Sequence, residues 1–480
     1  MAAPPWPRRL AAAACVGVSL ASCAQYRPEP LSPALNAAAL DSRSLENPQL
    51  RRFLQASRAS DERPVGEPRW DLGTLTLAAL YYHPDLAIAR AQLAAAQADI
   101  MTSRQRPNPS VGIGAAFNTA AVAGALPPGA LPLTVGPVVN FLIETFGKRE
   151  HRTAQAQHLA EAARADLAMA AWQVRGRVRT ALLGVWAAGK RLELAQRQAA
   201  LRQRLVALLE QRLGAGFATT LDVTRERVAL VQATLGVRDV ERTQADARVQ
   251  LATAIGIPVA ALDGVAVTGD AFERPVAPGP EVAGGPLRRR ALTERPDVQA
   301  SLARYAAAQS ALQLAVAGQY PNVTLGPGYN YDVGFDRFFL SPTFDLPIFN
   351  QNQGQIARAI ADRQQAAASF TALQAQIVGA VDTAAASYRT TARTLQTARS
   401  LAAGGQARQR QVAASFEAGE TDRPTLVAAE LELAVVQSAQ FDAALVQLQS
   451  LGALEDALQQ PLFGPEAARA GPRTAAEPSL

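Results

Sequence analysis

His83, His151 and His158 are the three imidazoles of this 480-residue chain, and they bound the metal and acid–base chemistry open to it. His151 and His158 stand seven apart and share a face if the segment is helical. A tetrahedral metal site needs further thiolate, imidazole or carboxylate ligands, and no cysteine or third ligand lies near them in sequence. They read as solvated helix residues. Gly326-Pro327-Gly328 lacks the lysine that accompanies a phosphate-cradling loop, and small side chains on a strand explain it better. Arg225, Glu226 and Arg227, like Asp239, Glu241 and Arg242, alternate sign at helical spacing, as solvated or interhelical ion pairs do. No nucleophile is grouped with a base and an orienting residue. The sequence therefore argues against an enzyme and implies no cofactor and no resident metal.

The two cysteines, Cys15 and Cys23, leave no disulfide possible within the rest of the chain. Arg8 and Arg9 form a positive region, Leu10 to Leu20 a short apolar one, and Leu20-Ala21-Ser22-Cys23 follows at once. This is the layout of a secretory leader, not of a spanning helix. The run resembles the bacterial lipobox, in which the cysteine thiol is acylated and its amine becomes the mature N-terminus. Residues 1–22 are thus expected to be a signal peptide and Cys23 the lipidation site, carrying palmitate. Ala24, where an aspartate would favour inner-membrane retention, implies outer-membrane sorting. No later segment approaches the roughly 18 consecutive apolar residues of a spanning helix, so a membrane crossing requires a closed β-barrel. The net charge of +6 rests almost wholly on arginines interleaved with acids, Lys148 and Lys190 being the only lysines. A nucleic-acid surface is not expected.

The chain is written twice. His83-Pro84-Asp85-Leu86 opens an alanine-rich stretch ending at Arg106-Pro107-Asn108-Pro109, and Arg295-Pro296-Asp297-Val298 opens one ending at Tyr320-Pro321-Asn322-Val323. Phe141 to Gly147 pairs with Phe344 to Asn350 at an offset of 203, and Gly214-Ala215-Gly216 with Glu417-Ala418-Gly419 at the same offset. A segment that keeps its length in both copies reads as a rod. Apolar residues recur at steps of three and four from Leu159 to Ala199 and again from Ile356 to Ala402, which fits one face of a helix. Lys148 to Leu213 would extend roughly 100 Å at the helical rise. Gly404-Gly405 is expected to loosen the second rod. Each rod meets a turn, at Gly214 to Thr220 and Gly419 to Pro424, and returns as a helix. The expected division is a lipidated extended segment over 23–71, a first repeat over 72–257, an equatorial connection over 258–294, a second repeat over 295–460, and a flexible tail over 461–480.

Before each rod lie two segments of a different period, over 108–118 and 138–146 and over 321–331 and 337–347. Val111, Ile113, Ala115 and Phe117 alternate with Ser110, Gly112, Gly114 and Ala116, and Val323, Leu325, Tyr329 and Tyr331 with Asn322, Thr324, Gly328 and Asn330. Such alternation predicts strands with one greasy and one small or polar face, of a length that crosses a bilayer at a tilt. The tip loops are expected over Asn118 to Pro137 and Asp332 to Asp336. Four strands cannot close a barrel, and an open edge cannot stand in lipid, so the chain must oligomerise. Only the wider of the possible rings leaves a water-filled lumen.

In this order of parts, in the helix-opening Pro-Asp and strand-opening Pro-Asn pairs, and in the junction Leu346-Pro347-Ile348-Phe349, the chain from Leu72 to Gln460 resembles the TolC-like outer membrane efflux proteins. With its lipobox it looks like the lipoprotein members that serve resistance-nodulation-division pumps. The resemblance implies a mainly α protein with a transmembrane β-barrel portion: a homotrimer with a 12-stranded barrel in outer-membrane lipid and a 12-helix periplasmic tunnel. It implies an exit duct that passively conducts substrates, with a periplasmic membrane-fusion adaptor and an inner-membrane transporter as partners. It further implies acidic residues at the rod tips that narrow the periplasmic mouth. Asp222, six residues after Gly216, matches the first tip; in the second, Thr425 and Ala428 replace the usual aspartates, leaving Glu420 and Asp422 within the turn as candidates. The plainer reading of these acids is helix capping. The rival for the whole chain is a periplasmic coiled-coil scaffold or adaptor lipoprotein, which has no need of amphipathic strand pairs.

Overall fold

A computed structural model describes residues 26–58, 69–117, 133–273, 285–332 and 335–462. Cys23, the leader, most of the first tip loop and the tail from 463 lie outside them. The described residues up to Ser44 belong to a unit of their own and include helix α1 (Pro33–Asp41), and the chain from Leu45 onward forms another unit. In the second unit come α2 (Pro48–Arg58), α3 (Leu72–Tyr82), α4 (Pro84–Arg104), β1 (Ser110–Phe117), β2 (Leu133–Ile143), α5 (Lys148–Gly214) and α6 (Thr220–Ile255). After a connection follow α7 (Gly285–Glu294), α8 (Pro296–Ala317), β3 (Val323–Asp332), β4 (Phe335–Thr343), α9 (Gln353–Glu417) and α10 (Arg423–Leu458). Residues 23–71, expected to be extended, thus hold two short helices. Proline opens both, where its missing N–H costs nothing, and α2 buries Leu50 and Leu54 one turn apart.

The breaks between helices have local causes. At the α3–α4 junction Pro84 cannot donate to α3, and His83 turns extended and caps α4, its Nδ1 accepting from the Asp85 N–H at 3.2 Å. Burial holds the His83 imidazole below its usual pKa, which favours the neutral ring. α5 begins after Gly147 (φ 69°) and α9 after Asn352 (φ 63°), both left-handed. These starts are 205 apart, not 203: the second copy carries two more residues before its rod, and α9 has 65 residues to the 67 of α5. The far ends do keep the 203 offset. Phe217 N–H bonds Arg212 O around Gly216 (φ 80°), and Glu420 N–H bonds Ser415 O around Gly419 (φ 77°). Both return helices have 36 residues. Gly404-Gly405 does not interrupt α9; Gly405 lies in the seam with α10, where an added Cβ would meet Leu433 and Val436 at ordinary contact distance. Packing of the hairpin offsets the propensity cost of the glycines.

α5 packs on α6 on one side and on α10 on the other, and α10 packs on α9, so the rods lie in the order α6-α5-α10-α9. Buried alanines along α5, including Ala156, Ala160, Ala181 and Ala188, let neighbouring helix axes approach closely. The main core gathers where α3 crosses the middle of α5 and the ends of α6 and α10: Leu75, Val174, Val178, Leu182, Leu251, Ile255 and Leu451.

The sheet is antiparallel throughout, in the order β1-β2-β3-β4, with β1 and β4 at its edges. β2 starts at Leu133, inside the stretch expected to be loop, because Pro137 is accommodated within the strand. β2 ends at Ile143, short of 146, because Phe146 and Gly147 both take positive φ and turn the chain into α5. β4 runs from Phe335 and ends at Thr343, short of 347.

Candidate channel wall and rod tips

Directly opposed residues of an antiparallel ladder share a face, so the register assigns every side chain of the sheet. One face carries the pairs Val111–Val139, Ile113–Pro137, Ala115–Val135, Phe117–Leu133, Phe141–Leu325 and Pro327–Leu340. The other carries Ser110–Asn140, Gly114–Gly136, Val138–Gly328, Gly326–Ser341 and Asn330–Arg337. The apolar face is bare: Ile113 is 76% and Phe338 83% exposed. Gly326-Pro327-Gly328 sits in β3 with both glycines on the small, polar face, as its sequence suggested. Among the described residues no helix is long and apolar enough to cross a membrane.

Where the sheet meets the rods, the two repeats are fastened together. Lys148 Nζ donates to Tyr320 O at 2.6 Å and to Asn322 Oδ1 at 2.7 Å, Thr145 Oγ1 donates to Pro321 O at 2.6 Å, and Phe146 stacks on Tyr320. Pro321-Asn322 is therefore an inter-repeat joint as well as a strand opener.

At the first tip Asp222 is the third residue of α6 and completes a capping box. Its Oδ2 accepts from Thr219 N–H at 3.0 Å and Thr219 Oγ1 at 2.6 Å, while its own N–H donates to Thr219 Oγ1. At the second tip the same pair stands with its members exchanged. Asp422 is the N-cap of α10, and its Oδ1 accepts from Thr425 N–H at 3.0 Å and Thr425 Oγ1 at 2.5 Å. The acid has moved three residues toward the turn and the threonine has taken its place. Asp422 also pairs with Arg212 at the end of α5, a contact 210 residues distant that no spacing rule points to. Glu420 is exposed in the turn itself. These bonds to the charged form hold both aspartates below the usual carboxylate range, through the threonine hydroxyl and amide in each case and through Arg212 as well at Asp422.

Both acids therefore cap, and both remain charged at neutral pH. A lowered folded-state pKa contributes stability that is present above the ordinary carboxylate range and is lost as pH falls through the lowered values. Amide exchange at the two tips is expected to quicken at acid pH relative to the middle of α5. In an Asp222→Asn, Asp422→Asn protein, whose side chains accept at any pH, that extra acceleration should vanish.

Of the histidines, His83 caps α4, and His158 pairs with Glu161 at 3.0 Å. No group of metal-ligating side chains occurs among the described residues. What sequence reasoning missed is a buried charge cluster beside the core. Glu455 on α10 is fully buried, its Oε2 accepting from Arg179 at 2.7 Å and Arg175 at 3.4 Å on α5, and Arg179 reaches Asp456 at 2.6 Å. The cluster has no echo in the repeat, since the first copy has Ala252 and Thr253 in the corresponding places.

The outer membrane efflux protein family model matches residues 76–257 and 287–459. The chain is 29% identical over 231 residues to the cobalt-zinc-cadmium resistance protein CzcC of Cupriavidus metallidurans, covering 47% of this chain and 54% of that one. It is 28% identical over 233 residues to the pyoverdine export outer membrane protein OpmQ of Pseudomonas putida, covering 47% and 48%. The chain thus spans about half the length of the curated relatives it matches. The crystal structure of the outer membrane protein VceC from Vibrio cholerae shares the fold, with a TM-score of 0.63 at 19% identity over 81% of this chain and 95% of that one. Since the family match takes in both repeats, each a strand pair followed by a long hairpin, this protein belongs to the outer membrane efflux protein family.

Proposed function

We propose that this protein is the outer-membrane exit duct of a tripartite efflux system. Three copies close a 12-stranded barrel in the outer membrane and a 12-helix tunnel in the periplasm. The observation that carries the reading is the sheet: one exposed apolar face, an opposite face that holds its glycines and most of its polar residues beside Val138, Leu142 and Phe339, and two open edges, set on rods of about 100 Å. The apolar band faces lipid, the small residues line a wet lumen, and the edges require other copies. Neither a scaffold nor an adaptor needs such a sheet. The duct works passively; an inner-membrane resistance-nodulation-division transporter selects the substrate and a periplasmic adaptor seals the joint. Metal ions and small organic molecules both fit a wet lumen of small side chains. Purified protein in planar bilayers should give discrete ohmic conductance steps. Detergent-solubilised protein that is folded, monomeric and non-conducting would overturn the reading.

Cys23 anchors the chain by its acyl groups, which together hold a protein durably at a membrane. Cys23→Ala should abolish palmitate labelling, while barrel insertion partly survives because the strands carry their own apolar band. Unchanged labelling would end the anchor proposal.

At the tips, Asp222, Asp422 and Glu420 recur once per copy and ring the periplasmic mouth. Charges converging in a narrow opening act more strongly than surface pairs and concentrate cations there. Arg212 neutralises part of Asp422, so Asp222 contributes the larger share. Asp222→Asn should weaken both cation preference and blockade by trivalent cations, and Asp422→Asn should add less. If conduction is unaltered in the double variant, these acids are caps alone.

A further inference from the structure

The two strand hairpins share one internal register. Ser110 opposes Asn140 as Thr324 opposes Thr343, and Gly112 opposes Val138 as Gly326 opposes Ser341. β1 therefore maps onto β3 at an offset of 214 and β2 onto β4 at 203, which lays Gly112-Ile113-Gly114 on Gly326-Pro327-Gly328. The seam between the hairpins, β2 against β3, pairs Phe141 with Leu325, Val138 with Gly328 and Val135 with Tyr331. Among the described residues the edges β1 and β4 have no such seam.

Carried through the repeat, the internal seam specifies an external one. We infer that β4 of one molecule pairs with β1 of a second copy with Phe344 opposite Val111, Ser341 opposite Gly114 and Phe338 opposite Phe117, and that Phe349 then seats on Arg106 of the second copy. Both faces match in this register. Phe344, Val111, Phe338 and Phe117 all lie on the exposed apolar side, and Ser341 and Gly114 on the other. A slip of one residue would set Phe338 against Ala116 and turn greasy side chains into the lumen.

A slip of two keeps the faces but fails at the joint below the sheet. Within the chain Phe146 stacks on Tyr320, centroids 3.9 Å apart at 18°. The same offsets send Phe146 to Phe349, which is 97% exposed, and Tyr320 to Arg106, also exposed. A guanidinium over a ring face is attracted to it as a second ring would be. Neither Gln351 nor Gln353, the residues that fall where Lys148 would, can repeat its ammonium clamp, so the joint between copies is the weaker of the two. Bound copies are thereby separable at the β4–β1 seam and not at β2–β3.

The inference rests on the proposed barrel, and one experiment separates the two. In the full-length protein Val111→Cys with Phe344→Cys, opposed Cα atoms fall within disulfide reach. After oxidation in detergent this pair should migrate as a covalent trimer under non-reducing conditions, at several times the yield of Val111→Cys with Pro342→Cys. Trimers by mass that cross-link in neither pair, or better in the second, overturn the register while the duct stands; monomers in every sample overturn both. For the joint, Phe349→Ala and Arg106→Ala should each lower the temperature at which the oligomer separates, with the double variant no lower than the worse single one. Additive losses, or none, would remove Phe349 and Arg106 from the seam.

Discussion

Glu455→Ala is expected to cost about 3–5 kcal/mol, among the largest single losses open to this chain, because it removes the buried carboxylate that Arg175 and Arg179 share and leaves Arg179 with the half-exposed Asp456. The carboxylate is fully buried on α10 and takes the charge of Arg179 and Arg175 on α5, themselves almost wholly enclosed. Its second oxygen accepts the Leu462 N–H at 2.5 Å, so the same group also holds the chain as it leaves α10. Gly452 makes room for the arrangement: a Cβ there would lie 3.0 Å from the Arg179 guanidinium. The arrangement joins the first repeat to the second at mid-rod, beside the main core. Loss of helicity on heating should therefore begin roughly 5–15 °C below the parent, at the ~2–4 °C per kcal/mol of chains of some 200 residues, and the yield of folded protein should fall. Removing the charges together should restore much of the loss, since a buried triad replaced by apolar side chains of similar volume is commonly tolerated. Glu455→Leu with Arg175→Met and Arg179→Leu is the variant to compare by circular dichroism. A Glu455→Ala protein as stable as the parent would mean that water reaches the two arginines.

This cluster also marks how far the sequence could be read. The two rods, their turns and the strand alternation were legible because each is a local period repeated about 200 residues later, and a repeated pattern is twice tested. The acid-threonine pairs at the tips were half legible. Asp222 stood out by position, but the exchange with Asp422 and Thr425 is visible only when both caps are seen to make the same bonds. Contacts between the repeats left no trace of this kind. Arg179 and Glu455 are 276 residues apart, Arg212 and Asp422 210 apart, and neither pair has a counterpart in the other copy. The two-residue extension before α9 was hidden for a different reason: Phe349-Asn350 matches Phe146-Gly147 in type, yet the left-handed residue that starts the helix is Asn352.

Pro137 is the other misleading residue, and its neighbour gives the second large effect. Gly136→Val should largely abolish the folded sheet, while Gly112→Ala on the same face of the sheet should be close to neutral. Proline inside a central strand lacks a ladder donor, and the pairing of β2 with β3 is indeed interrupted between Val135–Tyr331 and Val138–Gly328. Across that interruption the backbones approach so closely that a Cβ on Gly136 would fall 1.8 Å from Tyr329 O and 2.8 Å from Asn330 Cα. No rotamer relieves an overlap with backbone, so β2 and β3 must separate at the seam that joins the two repeats. The cost should reach or exceed the upper end of the ~1–3 kcal/mol typical of overpacking. At Gly112 an added Cβ meets nothing within 4 Å, so packing within the chain does not require that residue to be small. The fraction of each variant that shifts mobility on heating in detergent reads the difference directly. A folded Gly136→Val protein would show that the seam can open by the width of a side chain, and would make β2–β3 the compliant line of the sheet.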